Sequence, residues 1–316
     1  MTSRERVLCA LAGGTPDRVP FTEQFVAAPI PQRLLGRPDD ARYLWSELAG
    51  VMDNDVVKFS RYPPLFCESG HGMVGGGLIH TRDDLAKMVF PTDEKWIDEA
   101  RTFLREQRGD RAAAGGTRLG ISATLLSMGL EDFSIAVYED RELLDEIIGR
   151  YVRFAKRTTE VFCELGFDLV WCFDDFAYKT GPMFSPDILR EVFLPAIAPV
   201  ARAIKIPWIF HSDGNLYPVL DDLLSLGMSG LHPVEPEAME LGEFKRIVAG
   251  RACVIGNISV DLLASGSPAQ VREAVRHAIA TAAPGGGYMI SSGNSIPAYA
   301  KLENVHALID AVKEFR

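Results

Sequence analysis

The chain has 316 residues, 47% hydrophobic and 24% charged, with a formal net charge of −10. This is the composition of a globular protein, and the length suits one large α/β barrel or two ordinary domains. It excludes a membrane-spanning helix, since no apolar run approaches ~20 residues, and the acidic balance gives no overall pull toward nucleic acid or an anionic membrane. Five scattered cysteines with no CxxC pair argue against a disulfide framework and point to a reducing cytoplasm.

In chain order, residues 3–11 read as a short amphipathic helix, with too short an apolar run for a secretory leader. A proline-rich turn at Thr15–Pro20 leads into a strand over 19–25, with Glu23 toward its end. A helix is expected over 39–50 and a second strand over 55–60. Residues 61–80 form a long excursion containing His71 and the run Gly75-Gly76-Gly77, and they lack the lysine of a phosphate-binding loop. Residues 94–108 predict a helix and 117–122 a third strand ending at Ser122. The longest helical region is 130–165, with Asp140 as a cap, a stripe through Leu143, Leu144, Ile147, Ile148 and Tyr151, and Gly166 as the stop. Strands follow at 168–173, 207–211, 230–234, 252–256 and 288–290. Helices are expected between them, entered at Ser185-Pro186 and Ser267-Pro268, where a proline at the first position loses no bond.

This alternation predicts a single (β/α)₈ TIM barrel of α/β class over residues 1–316, with a doubly wound open sheet as the alternative. The strands are short apolar runs, as parallel strands covered on both faces should be. Chemistry in such a barrel sits at the C-terminal strand ends. The residues delivered there are Glu23, Ser60 or Arg61, Ser122, Asp174 with Asp175, His211 with Asp213, Glu235, Asn257, and Ser292 with Asn294. In PWIFHSDGN a buried run stops at His211, and residues two apart on a strand share a face, so His211 and Asp213 point into one space. Asp174 and Asp175 are adjacent, so one of them is expected to face the cavity. Two chemistries fit: a zinc site of His211 with Asp213 or Glu235, or a metal-free site in which His211 and carboxylates hold a polar substrate and manage protons.

Four segments resemble the uroporphyrinogen decarboxylase superfamily: RERVLCALAGGTPDRVPF, LGFDLVWCFDDFAYKTGPMFSPDILREVFLPAIAPV, IFHSDGNLYPVLDDLLSLGMSGLHPVEPEAM and VIGNIS. The resemblance runs in order along almost the whole chain and implies a (β/α)₈ barrel and a possible homodimer. It implies one of two activities, porphyrinogen decarboxylation or methyl transfer involving a corrinoid protein. The decarboxylase pattern is incomplete. FTEQFVAAPIPQR lacks the arginine-rich segment, Arg61 stands where an aspartate is expected, and SSGNSIP lacks a histidine. The thiol-activating methyltransferases use a zinc set of His-x-Cys with a later cysteine. Here His211 matches, Asp213 replaces the first cysteine, and no cysteine lies in 288–297. Oxygen ligands make a harder, more Lewis-acidic centre. The resemblance therefore implies a methyltransferase moving a methyl group from a small methoxylated compound to a corrinoid protein. His211, Asp213 and Glu235 hold zinc in this reading, with Asp174, Asp175 and His211 as catalytic residues. Glu23, Ser122, Asn257 and Asn294 lie around the substrate. A decarboxylase of another small acid and a non-catalytic binding barrel are the alternatives.

Overall fold

Seven parallel strands form one sheet: β1 (Val56–Ser60), β2 (Ala112–Arg118), β3 (Leu169–Phe173), β6 (Trp208–His211), β7 (Gly230–His232), β8 (Cys253–Ile255) and β9 (Tyr288–Met289), hydrogen-bonded in that order. A two-stranded antiparallel ribbon, β4 (Ala177–Tyr178) with β5 (Gly181–Pro182), stands apart from it. The computed structural model describes residues 1–68, 76–92 and 95–316. His71 and Gly75 therefore lie outside the described residues. Among the described residues no helix is long and apolar enough to cross a membrane.

The sheet curls, and its two faces are buried by different partners. Side chains alternate between faces along a strand. Ala112, Ala114, Leu169, Trp171, Phe173, Ile209, Cys253, Ile255 and Met289 join Val7, Ala10 and Leu11 in one interior cluster. The helix Ser3–Leu11 thus plugs the N-terminal end of the curl. The opposite face packs against the helices in a second, larger core. The long helix Arg141–Leu165 begins at Asp140, whose carboxylate accepts from the Leu143 N–H, and ends at Gly166 in the left-handed region (φ 81°). Its Leu143, Leu144, Ile147, Ile148 and Tyr151 are buried, as the stripe required.

Three expectations are corrected. The strand over 19–25 is instead a pair of isolated parallel bridges, Phe21 with Ile290 and Val26 with Ile296. Pro20 has no N–H to give, and the Phe21 N–H is taken by the Asp55 carboxylate at 2.9 Å. This segment still touches both edges of the sheet: the Phe21 carbonyl accepts from the Asp55 N–H, and the Thr22 N–H donates to the Ile290 carbonyl. The third strand lies at Ala112–Arg118, not 117–122, and Ser122 falls in the helix Ile121–Met128. AAAGGTR lacks the bulky residues that mark a strand, and at Gly115 the reason is that the long helix needs the room. A Cβ on Gly115 would sit 2.5 Å from the Phe162 ring. The region 130–165 is two helices, Leu130–Glu139 and Arg141–Leu165.

The glycine run has a packing role at Gly77, where a Cβ would lie 2.1 Å from the Met128 carbonyl carbon. The helix entered at Ser185 widens to a π turn over Leu189–Phe193, one residue short of Pro195, which cannot donate to the turn before it.

Candidate active site

His211 closes β6 and is buried, in register with Phe173 on one side and His232 on the other. The loops after β3 and β6 are tied to one another. The Asp174 N–H donates to the His211 carbonyl (3.0 Å), the Phe176 N–H to Ser212 Oγ (2.9 Å), and the Asp213 N–H to Asp175 Oδ1 (3.1 Å). Gly214 (φ 85°) allows this approach, because a Cβ there would lie 2.6 Å from the Ala177 carbonyl. These ties bring Asp175 and Asp213 to the same atom: each has a carboxylate oxygen 3.6 Å from His211 Nε2. Ligand-capable atoms of Asp175, His211 and Asp213 all lie within 4.8 Å of one another.

The electrostatics of this trio are strained. Burial pushes His211 down to about 4, with Lys58 and Arg118 adding to the effect and Asp175 opposing it. The imidazole is thus neutral near pH 7, the form that binds metal. Burial also raises Asp213, and the neighbouring Asp175 and Glu235 carboxylates raise it further. Asn294 Nδ2 donates to Asp213 Oδ2 at 2.6 Å, while Asp213 Oδ1 is buried with no hydrogen-bond partner. His211 Nδ1 lies 2.7 Å from Nδ1 of the buried His232. One proton serves that contact. When His211 donates it, the Nε2 lone pair faces both carboxylates. At 3.6 Å these oxygens are too far to accept a hydrogen bond well, and two acceptors facing a third is the arrangement a cation relieves. The donor set, one imidazole and two carboxylates, suits zinc.

The expected residues divide into those at this centre and those that build it. Asp174 does not face the cavity. Its carboxylate accepts from the N–H groups of Gly120, Ile121 and Ser122 at 2.8–3.0 Å, capping the helix Ile121–Met128. Burial nevertheless raises it to about 6. Ser122 is not aimed at a substrate either, since its Oγ accepts from the Asp175 N–H at 2.8 Å and sets that residue in place. Glu235 does not join the metal-capable group. It accepts from the Gly214 N–H at 3.0 Å and pairs with Lys179 at 3.6 Å, and Asp175 takes the place expected for it. Asn257 is half-buried after a cis Gly256–Asn257 peptide. Asn294 reaches the site through Asp213. With Lys179, Glu235 and Tyr299 it lines a cleft of about 760 Å³ beside it. Arg61 points elsewhere, its guanidinium lying over the Trp96 and Phe154 rings.

Glu23 is locked into the structure, accepting from the Ser292 N–H (2.8 Å) and binding Ser292 Oγ (2.7 Å). Complete burial pushes its carboxyl up from about 4.5 to about 8, against the opposing Ser292 bonds. The folded protein therefore holds a proton there that the unfolded chain releases. The stability this group contributes is fully present below about 4.5 and is lost as pH rises through about 8. Glu23→Gln keeps both contacts without the titration. Its free energy of unfolding should lie close to the parent's at pH 5 and exceed it at pH 8 by about 3–5 kcal/mol. A parent and variant that lose stability in parallel over that interval would show that burial does not hold the proton on.

Two residues escaped the sequence reading. His232, which the spacing argument passed over, is the direct partner of His211. Lys58 is buried inside the curl, and its Nζ faces the rings of Trp45, Trp171 and Phe173 at 5.9, 5.8 and 5.2 Å. The signal was a lone lysine within the apolar run DVVKFS.

The fold is of the parallel α/β class, and the candidate cluster lies at the C-terminal ends of its strands. Residues 71–315 match the family model for uroporphyrinogen decarboxylase (URO-D), and the chain belongs to that family. Uroporphyrinogen decarboxylase of Neisseria meningitidis serogroup C is 24% identical over 292 residues, 87% of this chain and 78% of that protein. The Coxiella burnetii enzyme is 27% identical over 159 residues, 48% of this chain and only 41% of that protein. Among solved structures, a methyltransferase from Methanosarcina mazei superposes with a TM-score of 0.80 at 22% identity, covering 100% of this chain and 99% of that one. A B12-independent methionine synthase from Shewanella reaches 0.51 at 12% identity, covering 72% and 70%. These two likenesses establish the shared fold.

Proposed function

We propose that the protein is a methyltransferase that takes a methyl group from a small methoxylated compound and passes it to a corrinoid carried by a separate protein. A zinc ion held by Asp175, His211 and Asp213 assists. The observation that carries this reading is the convergence of three ligand atoms within 4.8 Å, one of them on a buried oxygen with no partner. The seven strands and the Pro20–Thr22 segment act together as an eight-staved barrel whose mouth holds this cluster.

A metal ion there supplies a Lewis acid that polarises the ether oxygen. The remaining tasks fall to the chain. His232 holds the His211 Nδ1 proton and so keeps Nε2 free, Asn294 fixes Asp213, and Ser122 fixes Asp175. In the transfer the bond between methyl carbon and oxygen breaks, and the oxygen keeps the pair and takes up a proton. The acceptor's electron pair makes the new bond to carbon.

The test is incubation of protein purified without chelator with a methoxylated aromatic compound and cob(I)alamin, following loss of the reduced corrinoid absorbance. Turnover that falls at least a hundredfold in His211→Ala is expected. The similarity to curated decarboxylases favours a second reading, decarboxylation. Formation of coproporphyrinogen from uroporphyrinogen, without methyl transfer, would establish it.

A further inference from the structure

Two cations at the C-terminal end of the sheet have no task in the chemistry above. Lys58, on β1, is buried, and its Nζ donates to the Gln24 carbonyl. Arg118 ends β2, on the inward face it shares with Ala112 and Ala114, and its guanidinium lies 5.9 Å from the Tyr62 ring. Among the described residues neither cation has an acidic side chain within ion-pair distance. A buried ammonium without a counter-charge is costly. Burial lowers Lys58 to about 7, so an arriving anion would restore its charge.

These cations adjoin the candidate metal centre. The Phe173 ring lies 5.2 Å from Lys58 Nζ, 5.8 Å from the Tyr62 ring and 5.3 Å from the His211 ring. Both cations disfavour protonation of His211. Gly116, between them on β2, has no Cβ because one would lie 2.5 Å from Ser60 Oγ and 3.5 Å from Lys58 Cδ. On one side of the Phe173 ring the groups are thus cationic and bordered by aromatic rings, and on the other stands the imidazole with its carboxylates.

We propose that the site takes a methoxylated aromatic carboxylate. Lys58 and Arg118 hold its carboxylate, its ring lies beside the edge-packed rings of Tyr62 and Phe173, and its methoxy group reaches toward Asp175, His211 and Asp213. This assignment rests on the methyl-donor reading for the methoxy end. The anion end stands on Lys58 and Arg118 alone.

Calorimetric titration of the whole chain with 4-methoxybenzoate and with methoxybenzene tests it. The acid should bind at least about tenfold more tightly than the neutral ether. Arg118→Gln and Lys58→Met should each weaken the acid by about 10- to 100-fold, leaving methoxybenzene and zinc content unchanged. Equal affinities, no binding of either compound, or variants that leave the acid unaffected would overturn the proposal. The two readings fail separately. Charge-dependent binding of the acid with no methyl transferred sinks the methyl-donor reading and leaves the anion site. Transfer from methoxybenzene as fast as from the acid sinks the anion site and leaves the methyl-donor reading.

Discussion

Zinc content should fall from near one equivalent to below about a tenth in His211→Ala and in Asp213→Ala, measured by elemental analysis after purification without chelator. Each change removes one of three converging donors, and a site reduced to two protein ligands loses most of its affinity. Asp175→Asn should weaken zinc as well, because its oxygen stands 3.6 Å from His211 Nε2 just as the Asp213 oxygen does. Glu235→Gln should retain the metal, since that carboxylate is engaged by the Gly214 N–H and Lys179. His232→Leu separates orientation from ligation. It removes the acceptor 2.7 Å from His211 Nδ1 and should cost about 10- to 100-fold in zinc affinity. Full zinc in His211→Ala would end the metal reading. Zinc lost in Glu235→Gln but kept in Asp175→Asn would restore Glu235 as the ligand.

Asp55→Ala should destabilise the protein by about 3–5 kcal/mol, the cost of leaving a buried charge network without one member. Asp55 is fully buried at the N-terminal edge of β1. Its carboxylate accepts from the Phe21 N–H (2.9 Å), from Arg6 (3.0 Å) and from the C-terminal Arg316 (3.3 Å). One side chain therefore ties the first helix, the bridging segment and the chain's end to the edge strand. Alanine leaves the guanidinium groups of Arg6 and Arg316 buried without that anion. The midpoint of thermal unfolding should drop by roughly 5–8 °C. Asp55→Asn should recover part of the loss by keeping an acceptor for Phe21. A drop of a degree or two in Asp55→Ala would mean that the segment is held by its backbone bonds alone.

The alternation of strand and helix was readable from local chemistry. Asp140, Gly166, Ser185 and Ser267 act at helix ends as their types require. The run Trp208–His211 is the buried strand that PWIFHSDGN announced. Where reading along the chain failed, a distant partner had set the local choice. Within Ala112–Arg118, Gly115 has no side chain because Phe162 occupies the space above it, and Gly116 has none because Ser60 does. Residues 19–25 do not form a strand because Asp55, more than thirty positions away, takes the Phe21 N–H.

The candidate site divides in the same way. His211 was legible as the end of a buried run, and Asp213 as its neighbour two positions on, although β6 stops at His211 and the loop ties set Asp213 in place. The choice between Asp174 and Asp175 was not, because it depends on which carboxylate meets the free N–H groups of Gly120–Ser122 on another loop. The same holds for Asp175 in place of Glu235, for His232 beside His211, and for Lys58 among three rings. Sequence fixes which face a side chain takes on its own element. Only the curl of the sheet, set by packing between elements far apart in the chain, decides which of those faces meet.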